Sequence, residues 1–134
     1  MSFFWKKEYS LGIDIIDEQH KKFVEIVNRF NDTVDIPKSK DLISGMFEEV
    51  LEHIKFHFKT EEDYFDKFHY KNAKIHKKYH DKFIKEIQDL KKENIENKIK
   101  VTHKLVKHLI DWLLIHLDKE DKKYVKCFKE NGLK

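Results

Sequence analysis

Glycine and proline are scarce here, with three and one among 134 residues. Strand-rich folds need many turns, and turns lean on those two residues, so the scarcity argues for helices. Cys127 stands alone, which leaves no disulfide within the chain and fits a reducing cytoplasm. Arg29 is the only arginine, and the net charge of +3 is spread among interspersed Lys, Asp and Glu. Bidentate reading of phosphates or guanines lacks its usual residue, so nucleic acid is excluded as a partner. No apolar run approaches ~18 residues, so no membrane-spanning helix is expected. Met1 to Ser10 lacks the apolar core of a signal peptide, and a cytoplasmic location is expected.

Apolar residues make up 40% of the chain and charged residues another 40%. That balance suits one modest core under a solvated surface, and a single domain over residues 1–134 is expected. Residues 1–16 read as an extended arm with Trp5, Tyr9 and Ile13 packed over the rest, and Gly12 breaks any early helix. Asp17 offers an N-cap to a first helix over about 18–34, with Phe23, Val27, Phe30 and Val34 at helical spacing. Pro37 marks the first break. A second helix spans about 40–66, with a seam of Ile43, Phe47, Val50, Ile54, His57, Glu61 and then Tyr64 or Phe65. A third covers about 73–92 through Ala73, His76, His80, Phe83, Ile87 and Leu90. After a polar turn from Glu93 to Lys98, a fourth covers about 99–117, with Val101, Leu105, Leu109, Trp112, Leu113 and His116 on one face. A short charged tail carries Asp121, Tyr124 and Phe128. The expected fold is all-α, an antiparallel up-down-up-down four-helix bundle with an N-terminal arm and a short C-terminal helical segment.

Nine histidines are the conspicuous surplus. Every helix places at least one in its apolar seam: His20, His57, the pair His76 and His80, and His116. Glu61 lies one turn after His57 on the same face. Asp121 follows His116 by five residues, a spacing that calls for a helix end or a π-type bulge if both are to point inward. Five imidazoles and two carboxylates meeting on a bundle axis cannot neutralise one another. A metal site accounts for all seven, which exceed one tetrahedral zinc and suit two ions. If both carboxylates bridge and a solvent-derived oxygen bridges as well, eleven of twelve octahedral positions are filled. One place is left for a small exogenous ligand. Any one of these pairs alone would be a surface pair or a weak zinc site; their joint placement carries the argument. His53 reads as half-exposed or as a support behind the site, and Tyr124 as a support or plain core. His69, His103 and His108 read as surface residues.

Taken together, these residues resemble the hemerythrins, above all the small bacterial ones. The resemblance is carried by Trp5, by Gly-Ile-Asp-Ile-Ile-Asp-Glu-Gln-His at 12–20 and by His57-Phe58-Lys59-Thr60-Glu61. It continues through His76-Lys77-Lys78-Tyr79-His80 and Trp112-Leu113-Leu114-Ile115-His116, with Asp121 following. It implies two inequivalent non-haem irons joined by an oxo or hydroxo bridge. His76, His80 and His116 would serve a six-coordinate iron and His20 and His57 a five-coordinate one, with Glu61 and Asp121 bridging. It implies reversible binding of dioxygen at the open iron, for storage or for delivery to an oxygen-consuming enzyme, without catalysis. It also implies an apolar pocket lined by Phe23, Phe58, Trp112, Leu113 and Leu117, which would keep water out.

Rival readings are a di-iron oxidase or peroxidase, an oxygen or iron sensor acting through a separate partner, and a zinc-stabilised bundle. Ferritin-like enzymes use carboxylate-rich sites with Glu-x-x-His pairs, and no such pair occupies the seams here. The absence of an obvious apolar surface patch leads to the expectation of a monomer.

Overall fold

The computed structural model describes residues 5–93 and 98–134; the polar turn expected from Glu93 to Lys98 lies largely outside them. The arm enters through a single 3-10 turn, Lys7–Tyr9. Five α-helices follow: α1 (Asp14–Asp32), α2 (Lys40–Lys67), α3 (Ala73–Lys92), α4 (Lys98–Trp112) and α5 (Val125–Glu130). Between α4 and α5 the chain widens into a π-helical segment, Leu113–Glu120, and then tightens into a 3-10 turn, Asp121–Tyr124. No strand occurs among the described residues.

α1 packs on α2, α2 on α3 and α3 on α4, and α1 closes the ring against α4. The cross-helix pairs run in opposite order along each neighbour. His57 and Glu49 of α2 meet His20 and Arg29 of α1. Asp66 and Glu48 meet Lys77 and Lys91 of α3. His76 and Glu86 meet His116 and His108. The protein is therefore the antiparallel four-helix bundle that the periodicity predicts.

Two details of the helix starts depend on individual side chains. Ser39 caps α2, its hydroxyl accepting the Leu42 N–H at 3.1 Å. The expected cap at Asp17 does not form, because α1 begins earlier, at Asp14, with Ile13 as its N-cap residue. Asp17 is turned instead toward the arm. Its carboxylate accepts the Ser10 hydroxyl at 2.5 Å and the Leu11 N–H at 2.8 Å. A carboxylate in the first turn is also favoured by the helix dipole. The arm is thereby pinned, with Ile13 fully buried, Tyr9 buried and Trp5 packed at the core's edge. Gly12 adopts φ +70, a conformation that side chains resist, and a Cβ there would sit 2.6 Å from the Lys129 ammonium.

The core divides in two. The larger cluster fills the end where α1 joins α2, with Phe30, Phe47, Val50, Ile54, Ile87, Leu105 and Leu109. The smaller one gathers Leu11, Ile13, Ile16, Phe65, Tyr70, Tyr124 and Phe128 beneath the arm and α5. A polar layer separates them.

Gly45 sits on the exposed side of α2, and a Cβ there would meet nothing within 4 Å. Gly45→Ala should therefore stabilise the fold by about 1 kcal/mol through helix propensity alone. Equilibrium urea unfolding checks this, and an unchanged or lowered midpoint would contradict the packing described for this face.

Candidate metal centre

The polar layer consists of the seven seam donors. His20 comes from α1, His57 and Glu61 from α2, His76 and His80 from α3, and His116 from the π segment; Asp121 opens the 3-10 turn. All seven are buried, and Glu61, His80 and Asp121 are 0% exposed. The five-residue step from His116 to Asp121 is made possible by the π-helical widening, in which the Asp121 N–H donates to the His116 carbonyl. A regular α-helix would place those two side chains on different faces.

The donors fall into two overlapping groups, each with ligand atoms within 4.8 Å of one another. One holds Glu61, His76, His80 and His116; the other holds His20, His57, Glu61 and Asp121. Glu61 Oε1 lies 3.3 Å from His57 Nε2 and 3.2 Å from His80 Nε2, so it faces both groups. Asp121 divides its two oxygens. Oδ2 approaches His20 Nε2 at 3.0 Å, while Oδ1 approaches His76 and His116 Nε2 at 3.1 and 2.9 Å. All five imidazoles thus turn the same nitrogen inward, toward two carboxylates that span the groups.

Two of the rings are fixed from behind. His57 Nδ1–H donates to Gln19 Oε1 at 2.6 Å, and Gln19 in turn donates to the Thr60 hydroxyl at 3.1 Å. His80 Nδ1–H donates to Glu62 Oε2 at 2.9 Å. Each bond commits the proton to Nδ1 and leaves the inward Nε2 as a lone-pair donor. His53 donates to the Gln19 backbone carbonyl at 3.0 Å and stacks on Phe23, which makes it a half-buried brace. Aromatic rings pack around the donors. Phe58 stacks on His80 at 3.7 Å, Trp112 on His116 at 4.2 Å, and Phe65 meets His76 edge-on at 4.9 Å.

The electrostatics of the bare cluster are strongly perturbed. Burial drives His57 down to about 3, against the pull of Glu61. Burial also disfavours a charged His80, but Glu61 and Glu62 outweigh it and raise that ring to about 9. Glu61 is pushed up by burial and by Asp121, yet the facing imidazoles hold it at about 2. Burial and the two nearby carboxylates push the Tyr124 phenol well above its ordinary range.

A cation fits this cluster on its own terms. Both oxygens of Glu61, both of Asp121 and Nε2 of His80 are buried without a hydrogen-bond partner. His57 and His20 present Nε2 atoms 3.0 Å apart, although His57 has already committed its proton to Gln19. Facing lone pairs and unsatisfied carboxylates are costly in a low-dielectric interior unless positive charge lies between them. The mixed imidazole and carboxylate set, with no thiolate, suits iron.

The profile of the Hemerythrin HHE cation binding domain matches residues 11–128. The chain belongs to the hemerythrin family. It is 32% identical over 127 residues to a bacteriohemerythrin of Clostridium acetobutylicum, covering 92% of this chain and 98% of the relative. A bacteriohemerythrin of Methylococcus capsulatus is 29% identical over 120 residues, covering 90% and 91% respectively. The crystal structure of a wild-type hemerythrin superposes with a TM-score of 0.79 at 27% identity, covering 93% of this chain and 96% of that one. The molecule is thus a metal-binding, hemerythrin-type four-helix bundle. No helix among its described residues is long and apolar enough to cross a membrane.

The sequence reading gathered the seven donors, and the structure brings all of them together. It missed Gln19 and Glu62. Each is a chain neighbour of one donor, His20 or Glu61, but braces a donor on the adjacent helix, His57 or His80. Polar residues one step off an apolar seam were the available signal. Among the residues assigned to the pocket, Phe23, Phe58 and Leu113 are buried and Trp112 is half-buried. The side chain of Leu117 lies outside the described set. Tyr124 is fully buried beside the cluster, with its hydroxyl unpartnered. His69, His103 and His108 lie outside the cluster; His103 pairs with Asp35 at 2.6 Å, and His108 lies 3.0 Å from Glu86.

Glu62→Ala should free the back of the His80 ring and weaken metal retention by about 10–100-fold. Competition with a chelator, read by iron analysis, checks this; retention equal to the parent protein would mean that Glu62 does not orient the ring.

Proposed function

We propose that this protein binds dioxygen reversibly at a non-haem di-iron centre and does not turn over a substrate. One observation carries the reading: the seven donors divide unequally, three imidazoles on one side and two on the other, with Glu61 shared by both groups and Asp121 directing one oxygen to each side. His76, His80 and His116 would hold one iron, His20 and His57 the other, and Glu61 and Asp121 both. Such a pair of irons supplies two electrons that can be lent to dioxygen and taken back. The side with fewer imidazoles would leave a coordination place for a small guest.

The chain's own residues support carriage in three ways. Gln19 and Glu62 hold the His57 and His80 rings so that their lone pairs stay aimed inward when a guest enters or leaves. Phe23, Phe58, Trp112 and Leu113 form the apolar wall on the bundle side, with Trp112 5.8 Å from Phe23 and 5.3 Å from Phe58. A dry wall of that kind keeps out the protons and water that would make oxidation one-way. Five imidazoles against two carboxylates also make a milder oxidant than the carboxylate-rich sets of ferritin-like enzymes. The names of the bacteriohemerythrin relatives agree with this reading.

The test is a cycle. The protein is loaded with iron, reduced without air, exposed to air and then flushed with argon, while the visible charge-transfer band is followed. Colour that comes and goes over repeated cycles is expected, together with two irons per chain. A band that forms once and persists as a ferric product would point instead to an oxidase or a sensor. His57→Ala should abolish the oxygen-dependent colour; a spectrum like that of the parent would remove His57 from the ligand set.

A further inference from the structure

A column of near-parallel rings leads from the surface of the α3–α4 groove to the donor cluster. His108 stacks on Phe83 with centroids 5.1 Å apart, Phe83 on Trp112 at 4.5 Å, and Trp112 on His116 at 4.2 Å, each pair within 20° of parallel. The inner end, His116, is one of the seven donors, whereas His108 and Trp112 are partly exposed. All four rings border one open cavity of about 390 Å³, beside which stand Tyr79 and Ile115. These last two are 42% and 60% exposed, so the cavity keeps apolar surface open to solvent.

The cavity's chemistry selects its guest. Its walls are aromatic and aliphatic, so a flat apolar molecule can lie on them. Its rim acids are already matched, Glu86 by Lys82 and His108, Asp111 by Lys107 and Glu120 by Lys123, which leaves no free cation among the described lining residues to hold an anion. We propose that this cavity receives a neutral planar two-electron carrier of the flavin type, and that the stacked rings pass its electrons to the metal centre. The proposal rests on the di-iron reading above. A reversible oxygen site is stranded whenever both irons are left ferric, and its recovery needs electrons from outside. One dihydroflavin supplies two electrons and releases two protons to solvent, becoming the oxidised flavin. Each ferric ion accepts one electron and becomes ferrous. Electron transfer falls steeply with distance, and the ring contacts leave only short gaps between the cavity and His116.

Two measurements test this. In the first, the purified protein is titrated into riboflavin and flavin fluorescence is followed. Saturable quenching is expected, with flavin mononucleotide, which adds a phosphate, binding no more tightly. Ile115→Trp, which fills the cavity from an exposed position, should weaken riboflavin by about tenfold. Quenching that never saturates or that ignores the variant would overturn the docking site, and tighter binding of the phosphorylated flavin would overturn the preference for a neutral guest. In the second, the ferric protein is mixed under argon with photoreduced riboflavin, and loss of the ferric band is timed. The rate should saturate with flavin and fall about tenfold in Ile115→Trp, matching the lost affinity. A rate that stays proportional to flavin and is equal in both proteins would overturn the electron route. The fluorescence titration needs no iron, so failure of the di-iron reading is seen separately from failure of the cavity.

Discussion

Two carboxylates and five imidazoles buried on one axis dictate the rest of this molecule. Removing Glu61 and Asp121 from water costs several kcal/mol each, and nothing in the surrounding protein saturates their oxygens. A chain that keeps such a layer must hold it together against its own tendency to spread or to admit solvent. The two apolar clusters on either side do that, one built from the four long helices and the other from the arm, the tail, Ile16, Phe65 and Tyr70. The polar layer is thus clamped between hydrophobic masses that stabilise the fold without its help. A centre with unsatisfied donors can persist because the surrounding packing carries the stability.

Rigidity at the centre comes from the contacts behind it. Gln19 and Glu62 set the orientation of the His57 and His80 rings, Phe58 stacks on His80 as well, and Trp112 stacks on His116. The Gln19, Glu62 and Phe58 contacts come from helices adjacent to those carrying the rings, so α1, α2 and α3 are coupled at the same level as the donors, whereas Trp112 backs His116 from one turn earlier in its own helical run. Asp17 extends the coupling outward by holding the arm against the smaller cluster, where Ile13 and Tyr124 are both fully buried.

Much of this was legible in the chain. Alternating three- and four-residue steps gave the helix limits of α2 and α3 almost to the residue, because their seams are long and the breaks at Pro37 and near Phe68 are sharp. The donors could be read because polar residues at seam positions have no ordinary explanation. The start of α1 was less legible. Asp17 has the composition of a cap but is drawn to the arm by Ser10 and Leu11, a tertiary preference that no local pattern carries. Gln19 and Glu62 were hidden for a related reason, since their partners lie on another helix and periodicity describes only one helix at a time. The ring column from His108 inward needed the three-dimensional register of α3 against α4.

The π segment has a consequence for how this chain tolerates change in length. Residues 113–120 hold their widened turns by carrying slack that an α-helix would not accommodate. Deleting a single residue between His116 and Asp121 would let the backbone relax into ordinary α geometry, with the two donors four residues apart on one face, as His57 and Glu61 already are. Asp121, Tyr124 and Phe128 would then keep their direction, because the residue removed is the one that the widened turn absorbs. The same deletion inside α2 or α3 would rotate everything beyond it by about 100° and carry donors off the axis. Loss of one residue is therefore expected to cost less in the π segment than in the regular helices around it.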